Sequence, residues 1–270
     1  MNYFKHKYSD LERKYFLFYL DARKKYTDKY LQKNASRFHN HLHKLKESGL
    51  SVMPSGFIDT ERLLPVKNKI HDYFSNKTSR VMKDPLITVD ELYPLIKDYL
   101  IPFASFYYEC VPSISYVKVL RSQKGEKLPK DTQLFHRDPG SHNFIKAIIY
   151  LNEVGVNDGP FTYIEDSIGD YFVGSCGRSR QSDEDIYKKY KNKIIEITGP
   201  CGQVTFFNPL GLHRGKIPVN SDRIAIIVNL ALHPEYGQKD NYKRIHYNMK
   251  KQYDEYDFMI LDSCVPVFGE

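Results

Sequence analysis

The fold of this chain is decided by the stretch Phe144-Ile145-Lys146-Ala147-Ile148-Ile149-Tyr150-Leu151, which the turn Asp158-Gly159-Pro160 separates from a second run, Phe161-Thr162-Tyr163-Ile164. Short runs of β-branched and aromatic residues between turn residues predict strands. Six further runs have the same texture: 114–120, 133–136, 193–197, 204–207, 211–216 and 223–232. Eight such runs, with no helix between most of them, predict two facing antiparallel sheets, the jelly-roll or double-stranded β-helix.

The N-terminal part of the chain has a helical pattern instead. A capping box at Ser9-Asp10-Leu11-Glu12 opens an amphipathic run, and further helices are expected over residues 59–74 and 89–99. The second of these is expected to stop at Pro102, because proline disfavours helical backbone before it. An entering strand or turn is expected within residues 50–58.

We therefore predict one domain of mainly β class with helical additions. Its parts are an N-terminal helical segment (1–48), a helical support (49–110), the double-stranded β-helix core (111–235) and a C-terminal extension (236–270). Residues 169–190 interrupt the strand pattern, and a long insertion in a rigid barrel is often a lid.

The composition is that of a folded protein with one sizeable core. Hydrophobic residues make up 41% and aromatic residues 14% of the 270 residues, which argues against disorder. The net charge of +7 is dispersed along the chain, so we interpret it as solvated surface, with attraction to anionic substrates as the alternative. Four cysteines without metal-binding spacing predict free thiols. The charged first residues and the lack of a long apolar window predict a cytoplasmic protein without a membrane segment.

Three residues have the spacing of a metal centre. His136 and Asp138 lie two positions apart at the end of a predicted strand, so their side chains project to the same side. His213 follows 75 positions after Asp138, at the end of another apolar run. A histidine from a neighbouring strand would complete one face of an octahedral ion and leave the other face open. This is the 2-His-1-carboxylate arrangement of non-haem Fe(II) oxygenases.

Two cations stand in strands that are otherwise apolar. Arg223 opens the run 223–232, and a charged residue at the mouth of a buried strand needs a partner or a ligand. Its planar fork suits a carboxylate. Lys146 must either extend to solvent or meet an anion, such as a carboxylate of a cosubstrate or substrate. Arg137 points away from its two neighbours, so we expect it at the surface.

The candidate substrate contacts are Asn143, Tyr163 and Arg178, which lie near the expected mouth or lid. Residues of these types at such positions are more often ordinary loop or strand residues than substrate contacts.

Several segments between about Ser48 and Leu232 together resemble one enzyme family: Gly56-Phe57-Ile58-Asp59, Leu134-Phe135-His136-Arg137-Asp138, Ile149-Tyr150-Leu151-Asn152-Glu153, Asn157-Asp158-Gly159-Pro160-Phe161, Gly202-Gln203-Val204-Thr205-Phe206-Phe207 and Leu212-His213-Arg214-Gly215. The family is the phytanoyl-CoA dioxygenase-like branch of the Fe(II)/2-oxoglutarate-dependent oxygenases. The resemblance implies Fe(II) on His136, Asp138 and His213, O2 as oxidant, and 2-oxoglutarate with its C5 carboxylate on Arg223. Halogenating relatives have a small residue in place of the carboxylate, so Asp138 implies hydroxylation or a related oxidation. Residues 164–169 lack a histidine that the family often has in the corresponding stretch. This departure affects what the resemblance implies about the substrate-facing side, and not what it implies about the metal ligands.

The leading hypothesis is an Fe(II)- and 2-oxoglutarate-dependent dioxygenase that hydroxylates a small or medium-sized metabolite and releases succinate and CO2. A non-catalytic jelly-roll binding protein with a vestigial metal site is the alternative from another class. A nucleic-acid oxidative demethylase ranks lower, because residues 224–232 contain no second arginine and no basic stripe is evident. A divalent-metal hydrolase would leave Arg223 unexplained. The substrate is expected to be a small molecule, and an anionic one would suit the positive net charge. The sequence predicts neither the identity of this molecule nor the oligomeric state.

Overall fold

The computed structural model describes residues 23–24, 37–125, 128–129, 131–138, 144–170, 180–181, 183–231, 257 and 260–261. The strands are β1 (Leu50–Val52), β2 (Val81–Met82), β3 (Ser113–Ser122), β4 (Phe144–Tyr150), β5 (Phe161–Ile164), β6 (Ile194–Ile197), β7 (Val204–Phe207), β8 (His213–Gly215) and β9 (Arg223–Ala231). The helices are α1 (37–48), α2 (Thr60–Ser75), α3 (Pro85–Thr88), α4 (Leu92–Leu95), α5 (Ile101–Tyr108) and α6 (Asp183–Tyr190).

The strands form two antiparallel sheets that face each other. The larger sheet has the order β1-β7-β4-β9-β3-β2, and the smaller sheet has the order β6-β5-β8. A bridge between His136 and His213 adds the segment around residue 136 to the free edge of β8. The chain passes repeatedly between the two sheets, which confirms the predicted jelly-roll core with helical additions.

Alternation along each strand decides which layer a side chain enters. On β4, Ile145, Ala147 and Ile149 pack with the helices on the outer face of the larger sheet. Ile148 and Tyr150, one position out of phase, pack between the sheets with side chains of the smaller sheet. Lys146 has the same parity as these two residues, so the fold directs it into the barrel.

The helical layer covers the outer face of the larger sheet. Helix α2 buries Leu63, Val66, Ile70 and Phe74 on one stripe, as the sequence pattern predicts for a supporting helix. The ring of Phe103 on α5 stacks on Phe206 of β7 with centroids 4.1 Å apart. No helix among the described residues is long and apolar enough to cross a membrane.

The predicted helix 89–99 differs from the structure. It is divided into α4 and a π-helical turn, Ile96–Leu100, and helix continues beyond Pro102 as α5. Pro102 lies in the first turn of α5, where a missing N–H costs little, and the π turn before it already changes the hydrogen-bond pattern. The two-residue strand β2 was not predicted, because two residues carry no periodicity.

Helix α6 is a support of the smaller sheet. Its Ile186 and Tyr190 are buried against Phe135, Ile164 and Leu212 on the outer face of that sheet. The second half of the predicted lid is therefore packed structure. Residues 171–179, which make up most of the first half of the predicted lid, lie outside the described residues.

Residues from both terminal segments contact the core. Arg23 is fully buried, and its guanidinium donates to the backbone oxygen of Val111 at 2.6 Å and to Oγ of Ser113 at 2.7 Å. Asp257 accepts a hydrogen bond of 2.6 Å from the Tyr93 hydroxyl. The capping box predicted at residues 9–12 lies outside the described residues.

Tyr163 joins the two sheets to the loop that precedes β8. Its side chain is fully buried, and its hydroxyl donates to the backbone oxygen of Asn208 at 3.1 Å. Gly49 and Gly211 lie against the phenol ring so closely that a Cβ atom at either position would overlap it. Glycine at 211 is therefore required by space.

We predict that Gly211→Ala lowers the free energy of unfolding by about 1–3 kcal/mol, because the added methyl group displaces the Tyr163 ring in a packed core. Tyr163→Phe should cost only about 1 kcal/mol, the net value of one hydrogen bond. Gly169→Ala, at a site with no atoms within 4 Å of an added Cβ, is the neutral control. Urea denaturation measures all three, and a Gly211→Ala protein as stable as the parent would show that the ring is not confined.

Candidate metal centre

His136 and His213 are direct cross-strand neighbours. The backbone N–H of each donates to the carbonyl of the other, with both N···O distances 3.0 Å. Side chains of such a pair project from the same face of the sheet. The two imidazole centroids are 4.4 Å apart, and both residues are buried. The fold thus brings together two histidines that are far apart in the chain.

The backbone fixes the tautomer of both histidines. Nδ1 of His136 lies 2.8 Å from the carbonyl oxygen of Leu134, and Nδ1 of His213 lies 2.8 Å from that of Gly211. A carbonyl oxygen only accepts, so each Nδ1 carries the proton and donates. In the neutral ring Nε2 then has a free lone pair. A metal-binding histidine is commonly oriented in this way.

Asp138 completes the cluster. Its backbone N–H donates to the carbonyl of Pro209 at 3.0 Å, which holds the residue beside the loop before β8. Its Oδ1 lies 3.7 Å from Nε2 of His136, and its Oδ2 lies 3.4 Å from Nε2 of His213. One ligand atom from each of the three residues lies within 4.8 Å of the others. Ligands about 2.1 Å from a shared ion in adjacent positions are about 3 Å apart, so the three residues fit one metal ion after small shifts.

The electrostatics of the cluster favour its metal-binding protonation state. Burial, and then the charge of His213, lower the pKa of His136 to about 3, so this imidazole is neutral at physiological pH. Burial alone would raise the pKa of Asp138, but His213 and Lys146 outweigh it and hold this pKa far below its usual range. The cluster therefore presents the neutral imidazole of His136 and the ionised carboxylate of Asp138 to a metal ion.

Lys146 does not extend to solvent, so the first of the two interpretations of this residue is wrong. It is only 9% exposed, and its Nζ donates to Oδ2 of Asp138 at 2.5 Å. Burial lowers the pKa of Lys146, but Tyr116 and Asp138 raise it by more, and the net shift is upward. The anion that this lysine meets is thus the carboxylate of the candidate metal ligand itself.

Arg223 lies deeper along the barrel. Its guanidinium donates to the carbonyl of Gly159 and to Oγ of Ser122 at 3.0 Å, and a Cβ atom at position 215 would lie 2.5 Å from one of its nitrogens. Burial lowers the pKa of Arg223, an effect that Tyr150 partly opposes. Within the part of the chain that the structure describes, no carboxylate pairs with Arg223. A half-buried cation with neutral partners only is a candidate site for an anion.

The prediction that Arg137 lies at the surface is wrong. Its side chain does point away from His136 and Asp138, but it is buried, and its guanidinium donates to the carbonyls of Ser167, at 2.7 Å, and Leu210. The outer face of this segment is covered by chain, which the sequence alone could not show. Arg137 therefore helps to hold the ligand-bearing segment in place.

The three candidate substrate contacts have different outcomes. Tyr163 is fully buried, and its hydroxyl donates to the Asn208 carbonyl, so this side chain is not accessible to a substrate. Asn143 and Arg178 lie outside the described residues.

Sequence reasoning missed several neighbours of the site. Ser122 and Gly215 surround the Arg223 guanidinium, and Tyr116 and Asn229 lie beside Lys146 across the strands. Asn229 could have been identified from the sequence, because it is a polar residue inside the apolar run 224–232. The others are ordinary in sequence, and only the register between strands identifies them.

Comparison with known proteins gives no family match. No protein-family model matches the chain, and no curated protein is similar to it. The narrower resemblance to the phytanoyl-CoA dioxygenase-like branch is therefore not confirmed.

Solved structures do share the fold. SnoN, a non-heme alpha ketoglutarate dependent epimerase from nogalamycin biosynthesis, aligns with 73% of this chain and 84% of its own at 15% identity, with a TM-score of 0.59. SnoK, the carbocyclase from the same biosynthesis, aligns with 72% and 83% at 16% identity, TM-score 0.54. HygX from Streptomyces hygroscopicus, solved with nickel and 2-oxoglutarate bound, aligns with 72% and 86% at 13% identity, TM-score 0.54. At these identities the comparisons establish that this chain has the jelly-roll fold of such enzymes.

Proposed function

We propose that this protein is an Fe(II)- and 2-oxoglutarate-dependent dioxygenase that oxidises a small or medium-sized metabolite and releases succinate and CO2. The observation that carries the proposal is the cluster of the buried His136 and His213 with the half-buried Asp138, in which both Nε2 atoms lie close to the Asp138 carboxylate. Arg223 supports it, since a half-buried guanidinium without a described carboxylate partner would bind the C5 carboxylate of the keto acid.

The three ligands would hold Fe(II) through two imidazole nitrogens and one carboxylate oxygen. When bound, the iron supplies the activation of O2 that drives oxidative decarboxylation of 2-oxoglutarate. The chain's own contribution is to orient both imidazoles through the Leu134 and Gly211 carbonyls and, by burial, to keep His136 neutral. Side reactions with water are limited by the aromatic packing around the site, because the rings of Phe161 and Phe207 lie 5.9 and 5.0 Å from that of His213.

Arg223 would set the direction of the keto acid. Its guanidinium lies beside Gly215, two residues and therefore about 7 Å along β8 from His213. A diacid held at the metal by one end could extend along this direction and place its other carboxylate on the planar fork of Arg223. The Gly215 position, without a side chain, leaves room for that fork.

The oxidation type belongs to the proposal. A carboxylate at Asp138 supports hydroxylation over halogenation. Among the structural neighbours, SnoN is an epimerase and SnoK a carbocyclase, so we include stereochemical inversion and ring formation among the products to be sought. SnoN has been solved with nogalamycin RO and HygX with hygromycin B, which supports a small-molecule substrate here. Release of succinate would distinguish this enzyme from a vestigial binding protein and from a metal hydrolase.

Metal and keto acid should bind together at the cluster. In anaerobic titrations with Fe(II) and 2-oxoglutarate, we expect the visible charge-transfer band of an iron-bound keto acid in the natural protein. His136→Ala and His213→Ala should lose the band, because each removes a ligand. His43→Ala, at an exposed histidine paired with Glu47, is the matched control and should keep it. Absence of the band in the natural protein would refute the proposed function.

Arg223 should govern the affinity for the keto acid. Arg223→Ala should weaken 2-oxoglutarate binding by at least about 2 kcal/mol, or roughly 30-fold in Kd, because it removes the partner of a buried carboxylate. Arg223→Lys should be intermediate, since lysine lacks the bidentate fork. Arg214→Ala is the control, because Arg214 follows His213 on the opposite face of β8 and pairs with Asp183. Titration of the band with 2-oxoglutarate measures each Kd, and equal values for Arg223→Ala and the parent would contradict this role.

A further inference from the structure

A row of polar side chains crosses the inner face of the larger sheet next to the metal cluster. In the strand register, Asn229 of β9 lies between Tyr116 of β3 and Lys146 of β4. Directly opposed side chains on neighbouring strands have Cβ atoms about 4.5–5.5 Å apart. Phe207 of β7 is the next residue in this row, and its ring packs on His213. The row therefore borders the metal cluster.

Asn229 has an unused hydrogen-bonding group. The residue is 2% exposed, and its Oδ1 has no hydrogen-bond partner among the described residues. A buried acceptor without a donor costs about 1–3 kcal/mol, so native proteins rarely leave one unless a bound water molecule or a ligand satisfies it. The free oxygen thus indicates that a donor group from a ligand belongs beside Lys146.

Lys146 has a partner that the metal would also use. Its ammonium group donates to Asp138, a carboxylate placed to bind the ion. When that carboxylate neutralises a metal ion, its attraction for Lys146 falls. A buried ammonium left with a weaker partner is unfavourable, and a second anion next to it would restore the balance.

The charges of the loaded site support the same conclusion. On the inner faces of the described strands and at the ligand-bearing segment, the charged side chains that are not exposed are the buried Lys146 and the half-buried Asp138 and Arg223, while Lys118 on the same face of β3 is exposed. Two positive charges of Fe(II) cancel the two carboxylates of 2-oxoglutarate, and Asp138 cancels one of the two cations. Among these groups one positive charge remains beside the metal, Arg180 adds a further positive charge that acts on His136, and an anionic substrate would offset this excess.

We propose, on the basis of the function proposed above, that Lys146 and Asn229 bind the carboxylate end of an anionic substrate. The ammonium of Lys146 takes the carboxylate, and Oδ1 of Asn229 accepts a hydrogen bond from a hydroxyl or amino group next to it. The substrate class is therefore an acid with a hydrogen-bond donor close to its carboxylate. The row would hold this end at the edge of the metal cluster and present a neighbouring C–H bond for oxidation.

The test uses three small probes on the anaerobic Fe(II)- and 2-oxoglutarate-loaded protein: glycolate, acetate, which lacks the hydroxyl group, and glycolamide, which lacks the charge. We expect glycolate to shift the charge-transfer band with a Kd in the millimolar range, acetate to bind more weakly, and glycolamide to have no effect. Lys146→Met should weaken glycolate binding at least tenfold. Asn229→Asp, which supplies an internal anion to Lys146, should weaken it equally. Lys193→Met, at an exposed lysine that pairs with Asp166, is the control.

The outcomes separate this inference from the proposed function. If the band never forms, the proposed function fails and this inference fails with it. If the band forms but glycolamide acts like glycolate, or Lys146→Met responds like the parent, the inference alone is wrong. Bleaching of the band by glycolate would show displacement of the keto acid and would also overturn it.

A second arm tests which carboxylate Lys146 binds. We expect Lys146→Met to bind Fe(II) at least as tightly as the parent, because the lysine competes with the metal for Asp138, and to keep its affinity for 2-oxoglutarate, because the lysine does not hold the keto acid. A tenfold loss of 2-oxoglutarate affinity would show that Lys146 binds the cosubstrate, and a loss of Fe(II) affinity would show that it only positions Asp138. Either result would overturn the inference.

Discussion

The reciprocal backbone hydrogen bonds between His136 and His213 are the constraint on which the candidate site depends. They make the ligand-bearing segment an additional edge of the smaller sheet, and they set the register in which two imidazoles face the same interior point. The same register determines that Arg137 turns outward, where it donates to the Ser167 and Leu210 carbonyls. A slip of one residue would exchange the inner and outer faces and place Arg137 where the ligands are now.

The Asp138 carboxylate interacts with both the candidate metal-binding histidines and the Lys146 ammonium group. Its carboxylate lies near both histidines and is bound by Lys146, so the same group balances a lysine in the metal-free protein and would balance an ion in the loaded one. This double role explains why a lysine is tolerated in the apolar strand β4. It also explains why Lys146 is buried although no acidic residue other than Asp138 pairs with it in the described interior. A substrate that brings an anion would complete this balance.

The parts of the structure that could be predicted from sequence are those governed by local pattern. The eight β-rich runs correspond to strands or bridges. They could be predicted because alternating and β-branched residues favour extended backbone over only a few positions. The pairing of His136 with Asp138 followed from the two-residue repeat of a strand. Helix α2 followed from its apolar stripe, whereas the continuation of helix past Pro102 depended on a π turn that no local signal marks. The burial of Arg137 and the Asp138 contact of Lys146 could not be predicted, because both partners come from distant segments.

By itself, the sequence determined the β-rich core, the identity of the three candidate ligands and the presence of two cations that needed anions. These conclusions rest on side-chain chemistry and on spacing over a few residues, and the order of the amino acids determines both. Only the tertiary structure decided which anion each cation meets and which neighbours share the inner face. Asn229, Tyr116 and Lys146 form a row because three strands pair in one register. That register results from the packing of both faces of the larger sheet, a property of the whole fold that no short segment carries.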